Sequence, residues 1–167
     1  MKPRFVLNVL GSGYPGMWDV ATPYQTVDGW AGAFFTLPVA KKPVLALRAG
    51  GKKLWGPFPY FDAAFLGGSE SFRTEERQRW AGGASAYGTT ELRVPIAKFP
   101  FILPLDVGAI GFADAGRVYV NGQSPGGWHS AAGGGFWVGY LNAAPNFNVL
   151  LTNRKGHHIV TTFGFAF

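Results

Sequence analysis

The sequence predicts an all-β fold, an antiparallel transmembrane β-barrel of about eight strands formed by a single domain over residues 1–167. Gly and Pro, 25 and 12 of the 167 residues, interrupt nearly every window long enough for a helix, while strand-like alternation recurs. Charged residues make up 14% of the chain, against about 25% in soluble domains. Several alternating stretches also reach about ten residues, the length that a tilted strand needs to cross a bilayer.

The predicted strands, in chain order, are residues 5–11, 24–37, 44–50, 90–96, 105–120, 129–141, 146–152 and 159–167. Most of the links between them are short, which favours antiparallel neighbours. The alternation is clearest in residues 90–96, where Leu92 faces one side and Glu91 and Arg93 face the other. In residues 105–120, Asp106 and Asp114 share the face opposite Leu105.

Aromatic side chains near the predicted strand ends are typical of the girdles that lie at both surfaces of a membrane. They are Tyr14, Trp18, Trp55, Phe99, Phe101 and Trp128. A soluble, lipocalin-like barrel would alternate in a similar way, but with its apolar face inward and a more charged exterior. No run of about 18 apolar residues is present, so a transmembrane helix is not predicted.

Residues 51–86 form a connection about three times longer than usual. The densest charge cluster of the chain lies in it: Glu70, Arg73, Glu75, Glu76, Arg77 and Arg79. Phe65, Leu66, Phe72 and Trp80 supply apolar anchors. Because connections of this length are generally either functional or disordered, the anchors favour a functional loop.

Several classes of function are not supported by the residues. The net charge of +6 comes from scattered cations and small pairs, so no nucleic-acid partner is predicted. Cysteine is absent, and the adjacent His157 and His158 would point in opposite directions on a strand, so no metal site is predicted. Residues 133–135 (GGG) do not precede a helix, which argues against a phosphate cradle. No cofactor is expected, and without a catalytic cluster the chain is predicted not to be an enzyme.

Four stretches resemble, in the same order, the C-terminal half of the BamA/TamA-type superfamily of outer-membrane assembly and translocation barrels, the bacterial surface antigens. They are residues 66–68 (LGG) with 71–73 (SFR), residues 91–95 (ELRVP), residues 111–116 (GFADAG), and residues 130–136 (SAAGGGF) with the terminal Phe167. The resemblance covers residues 66–167. It implies location in a bacterial outer membrane, with outer-membrane lipids as surroundings. The apolar stretch at residues 5–10 is too short for a signal peptide, so an export signal would have been removed or would belong to a longer chain.

The resemblance also implies a lid. In the family a lid arginine reaches the Asp-bearing strand, which here implies a charge-assisted contact between Arg73 and Asp114. Arg77 or Arg79 could take the place of Arg73, and the alternative is that these charges are unrelated and solvated. Thr74 stands where the family has Gly, so the lid tip is expected to differ in geometry.

The remaining site residues lie on the strands. Glu91 and Arg93 share one strand face, which predicts a structural charge network in the barrel lumen. Phe163, Phe165 and Phe167 alternate to the end of the chain and resemble the signal captured by the barrel assembly machinery through β-augmentation. An ordinary amphipathic terminal strand is the alternative.

Family members close their barrel with sixteen strands, whereas this chain predicts eight. An open half-sheet in lipid is excluded, because each unpaired backbone group costs several kcal/mol there. The chain could close alone as a barrel with a filled interior, pair with a second copy as a homodimer, or be part of a longer protein; the first suits 167 residues best. The predicted function is non-enzymatic, in assembly or translocation, and the alternative is a structural barrel serving as anchor or accessory subunit of a larger envelope complex.

Overall fold

A computed structural model describes residues 3–17, 22–69, 71–100, 104–121, 123, 126–140, 143–152 and 159–163, and from residue 140 onward it is the backbone that is described. The strands are β1 (Arg4–Tyr14), β2 (Tyr24–Thr36), β3 (Val44–Trp55), β4 (Ala64–Leu66), β5 (Trp80–Gly82), β6 (Ala84–Pro100), β7 (Pro104–Tyr119), β8 (His129–Tyr140), β9 (Ala143–Thr152) and β10 (Ile159–Phe163). The described residues contain no α-helix. The predicted all-β class is therefore confirmed. Within the same residues, no helix is long and apolar enough to cross a membrane.

Eight strands form one sheet in the order β1-β2-β3-β6-β7-β8-β9-β10, and β4 and β5 form a separate pair. All neighbours pair antiparallel. Each of the eight strands of the large sheet overlaps one predicted strand, and β1, β3 and β6 extend beyond the predicted ranges. In the part of the chain that the structure describes, the edge strands β1 and β10 do not pair with each other, so barrel closure stays a prediction.

The two longest strands, β6 and β7, contain 17 and 16 residues, well above the mean of about five or six. Their register shifts between Pro95 and Ala97. Proline has no N–H to donate to a ladder, so inside a sheet it is tolerated mainly at edges and bulges. The bulge at Pro95 therefore lets β6 continue past a residue that would otherwise interrupt it.

The large sheet has two chemically different faces, which we call the inner and the outer face. The inner face carries Glu91 on β6 and Asp114 on β7, both buried. The residues that alternate with these along each strand lie on the outer face, such as the exposed Leu92 and Ala113. Strict alternation of side chains along a strand produces this division.

The long segment between β3 and β6, residues 56–83, packs on the inner face, and we call it the connection. It contains a 3-10 turn at Tyr60–Asp62 and the β4–β5 hairpin. It is shorter than the predicted 51–86, because β3 extends to Trp55 and β6 begins at Ala84. The alternation of β3 continues through Lys52, whose inward ammonium group lies 2.6 Å from the Asp62 carboxylate.

Apolar side chains fix the connection to the sheet. Leu66 and Phe72 are fully buried and form a cluster with Val118 of β7 and Ala131 of β8. A Cβ atom at Gly116 would lie 2.7 Å from Leu66 Cδ1, so the absence of a side chain at this position lets the connection approach β7 closely. The connection is thus part of the folded core.

Candidate functional site

A compact turn at the tip of the connection directs Arg73 toward the inner face. The Phe72 N–H donates to the Gly68 carbonyl at 3.0 Å, and the Gly68 N–H donates to the Glu75 carbonyl at 3.1 Å. Gly67 has φ +127°, and a Cβ there would lie 2.3 Å from the Glu76 carbonyl oxygen. Only glycine fits such a position, so the sequence Gly67-Gly68 closes the turn that positions Arg73.

Arg73 joins the connection to two strands. Its Nε donates to Asp114 Oδ2 at 3.0 Å, and its backbone N–H donates to the same oxygen at 3.3 Å. Its Nη1 donates to Glu91 Oε2 at 2.5 Å. The guanidinium carbon lies 4.7 Å from the centre of the Phe112 ring, a cation–π distance. One side chain of the connection therefore contacts β6 and β7 at once.

Arg93 completes the group, because its Nε donates to Glu91 Oε1. We call Arg73, Glu91, Arg93 and Asp114 the ion-pair cluster. The four side chains are 3%, 1%, 9% and 0% exposed. Two guanidinium groups balance two carboxylates, so the cluster is neutral as a whole. Buried charges are tolerated when they are paired in this way.

The register of β6 and β7 explains why one guanidinium group reaches both carboxylates. Asp114 is opposite Thr89, and Glu91 is opposite Phe112. The two carboxylates are therefore diagonal neighbours on the same face, about 7–8 Å apart at the backbone. An arginine fork that enters between them can bind each with a different nitrogen.

The structure places Arg73 against Asp114, as the family resemblance implies. Arg77 and Arg79 are exposed, and Arg79 Nε lies 3.7 Å from Glu75 within the connection. They do not take the place of Arg73. Thr74 is not among the residues with positive φ, so this tip does not need the glycine that the family has there.

The other predicted site residues have different outcomes. Glu91 and Arg93 are in contact, and the structure joins them to Arg73, which the sequence did not predict. Phe163 is the last residue of β10, whereas Phe165 and Phe167 lie outside the described residues. The predicted role of these three residues as an assembly signal stays a prediction.

Two inner-face cations of β3 were not predicted as site residues: Arg48, which lies in the predicted strand 44–50, and Lys52, which was predicted to lie in the long loop. The Arg48 guanidinium carbon lies 4.3 Å from the Trp30 ring centre and 5.6 Å from that of Tyr87. Lys52 lies on the same face and pairs with Asp62. The signal that could have located them is the alternation through residues 46–54, in which both cations share the face of Ala46 and Leu54.

The cluster can hold the connection against the sheet, because each of its carboxylates accepts hydrogen bonds from an arginine. Among the residues that the structure describes, no group of three or more His, Cys, Asp or Glu side chains is placed to hold a metal ion. No protein-family model, no curated protein and no solved structure matches this chain.

Proposed function

We propose that this chain is the membrane-spanning part of an outer-membrane β-barrel of the assembly or translocation type, in which the connection is a lid pinned inside by Arg73. The observation that carries the proposal is the distribution of charge between the two faces. Among the described residues that face outward on β1–β3 and β6–β8, two are charged: Lys53 and Arg117. The inner face carries the ion-pair cluster and two cations of β3, Arg48 and Lys52.

The outer face is apolar where it is most exposed. On β1, Phe5, Leu7 and Val9 point outward, and Leu7 is 75% exposed. On β6 and β8, Leu92 and Phe136 are exposed on the same face. Soluble monomers rarely expose a continuous apolar surface of this kind, and a soluble barrel would place the apolar face inward. Contact with lipid chains accounts for both features.

The two outward cations lie at one end of the sheet, among aromatic side chains. Lys53 Nζ is 6.0 Å from the Trp55 ring centre, and the Arg117 guanidinium carbon is 4.5 Å from that of Tyr119 and 5.4 Å from that of Trp128. Cations and amphipathic rings are favoured at the level of lipid headgroups. This end of the sheet suits a membrane surface, and the connection leaves from the same end.

The connection occupies the inner face of the sheet, which favours a barrel of more than eight strands. An eight-stranded barrel has an interior that its own side chains just fill. Here Leu66, Phe72 and Arg73 of the connection already occupy the inner face at β6, β7 and β8. We therefore favour completion of the sheet by further strands, from a second copy or another segment, over closure of these eight strands alone.

A structural anchor or accessory subunit of an envelope complex is the second candidate. The complete burial of Leu66 and Phe72 favours it, because a permanent core element packs in this way. Alanine at Arg73 separates the two candidates. If the connection is a working lid, we expect Arg73→Ala to abolish assembly or translocation while the barrel stays folded. If the chain is an anchor, we expect the substitution to leave its function unaffected.

Membrane placement can be tested with single-cysteine variants, because the chain contains no cysteine. Leu92→Cys lies on the outer face in the middle of β6, and Ser69→Cys is exposed in the connection. Each variant is labelled with a fluorophore and folded into vesicles whose acyl chains carry nitroxide quenchers. We expect strong quenching at position 92 and little at position 69. Equal quenching at both positions would contradict the proposal.

A further inference from the structure

The turn between β2 and β3, residues 37–43, lies at the end of the large sheet opposite to the one from which the connection leaves. The other links at this end, residues 101–103 and 141–142, are also short. We propose that this turn, which we call the lysine turn, binds the phosphate groups of anionic phospholipids through Lys41 and Lys42. The inference rests on the proposed function, because it requires the outer face to meet lipid.

Positive charge is in excess at the lysine turn. Lys41 and Lys42 are both exposed. Residues 1–18, 29–61 and 92–105 contain no Asp or Glu, and these ranges include β1, the turn itself and β3. The two ammonium groups therefore have no carboxylate on these elements with which to pair. An uncompensated pair of cations at the end of a sheet attracts anionic groups.

The backbone of the lysine turn does not favour lysine. The angle φ is 66° at Lys41 and 46° at Lys42, in the left-handed region that glycine and asparagine adopt more readily than longer side chains. The Lys42 N–H donates to the Val39 carbonyl at 3.0 Å, which closes the turn. Conformational preference therefore does not account for the lysine pair, whereas a role for the two charges does.

An apolar surface continues from the lysine turn onto the outer face. Val39 of the turn is 57% exposed. Phe35 of β2 is opposite Leu45 of β3 on the outer face, next to the turn, and the Phe5 ring lies 6.1 Å from the Phe35 ring. A phospholipid whose acyl chains contact this surface would carry its phosphate at the level of the two lysines. Lysine suits such a position, since its stem packs on apolar surface while its ammonium group reaches the headgroups.

Anionic phospholipid complements both parts of this surface. A soluble acidic partner would complement the lysines but not the exposed apolar side chains beside them. Each lysine near an anionic membrane surface strengthens the attraction about fivefold. In outer-membrane barrels the short turns face the periplasm, so the lysine turn would lie at the leaflet on that side.

The test measures which phospholipid lies next to the lysine turn. Because the chain contains no cysteine, Leu45→Cys provides one site for a fluorophore. The labelled protein is folded into phosphatidylcholine vesicles that contain a small, equal fraction of nitroxide-labelled phosphatidylglycerol or nitroxide-labelled phosphatidylcholine. We expect phosphatidylglycerol to be enriched about fivefold or more at position 45. The double variant Lys41→Asn/Lys42→Asn should remove this preference, and it should still fold, since asparagine tolerates positive φ.

Two further variants serve as controls. Lys41→Arg/Lys42→Arg keeps both charges and should keep the preference. Lys53→Gln removes a cation from the outer face of β3 about 26 Å along the strand from position 45. This distance exceeds the screening length of about 8 Å in physiological salt, so the preference should not change.

The outcomes separate this inference from the proposed function. Equal quenching by the two labelled lipids would overturn the inference and leave the membrane placement intact. So would a preference that survives in the double asparagine variant, or one that is lost equally in Lys53→Gln. Absence of quenching by either lipid at position 45 would overturn both the inference and the proposed function.

Discussion

Arg73→Met is the substitution that best tests the ion-pair cluster. Methionine keeps much of the apolar stem of arginine but removes the charge. Glu91 keeps its contact with Arg93, whereas Asp114, whose side chain is 0% exposed, loses the one ion pair that the described residues show for it. The cluster then carries one uncompensated negative charge on the inner face.

The magnitude follows from the burial of these groups. Removing one partner of a buried pair costs about 3–5 kcal/mol, because the other charge stays buried without compensation. The cation–π contact with Phe112, at 4.7 Å, is worth about 0.5–2 kcal/mol and is lost together with the ion pairs. Since these contributions overlap, we expect the free energy of unfolding to fall by about 3–5 kcal/mol in total.

The assay is reversible urea unfolding of the chain folded into lipid vesicles, followed by tryptophan fluorescence. Arg79→Met is the matched control, because Arg79 lies in the same connection with its side chain 58% exposed. Its loss should cost less than about 1 kcal/mol. The double variant Arg73→Met/Asp114→Asn restores charge balance, so its cost should fall short of the sum of the two single costs by about 0.5–3 kcal/mol. An Arg73→Met protein within about 1 kcal/mol of the unchanged one would refute this reasoning.

Two further predictions concern the connection and the completion of the sheet. Gly116→Leu should push Leu66 away, since even a Cβ would lie 2.7 Å from Leu66 Cδ1. We expect the free energy of unfolding to fall by about 1–3 kcal/mol and proteolysis within residues 56–83 to become faster. Gly111→Leu is the control: no atom lies within 4 Å of the added Cβ, so the cleavage rate should be unchanged. Native mass spectrometry of the folded protein in detergent should show a dimer of the 18.0 kDa chain. A folded monomer would contradict completion by a second copy.

The positions of the eight strands of the large sheet could be predicted because alternation is a local property of the sequence. Their ends could not be predicted as well. Residues 51–53 (GKK) have little strand preference of their own, yet β3 continues through them because β2 and β6 pair with it on both sides. Pairing with neighbours overrides local preference in such cases. The small hairpin of β4 and β5 was also missed, since three-residue strands are too short to show a period.

The candidate site was only partly accessible from the sequence. The contact between Arg73 and Asp114 was inferred from a family resemblance and not from spacing, because 41 residues separate the two along the chain. The contact between Arg73 and Glu91 depends on the register of β6 against β7, which places Glu91 diagonally from Asp114. Register within a long pair of strands cannot be read from either strand alone. The cavity between the connection and the inner face was not predicted for a related reason, since it exists only where the connection packs on the sheet.

The charges of the inner face also explain why the connection and the sheet depend on each other. The strands alone bring Glu91, Arg93 and Asp114 together, which leaves one negative charge in excess. Arg73 arrives with the connection and removes that excess, so docking of the connection stabilises the sheet beneath it. If the connection moves out as a lid, water or another cation must therefore take the place of the Arg73 side chain. A working lid consequently requires a lumen wide enough for water, which eight strands filled by their own side chains would not provide.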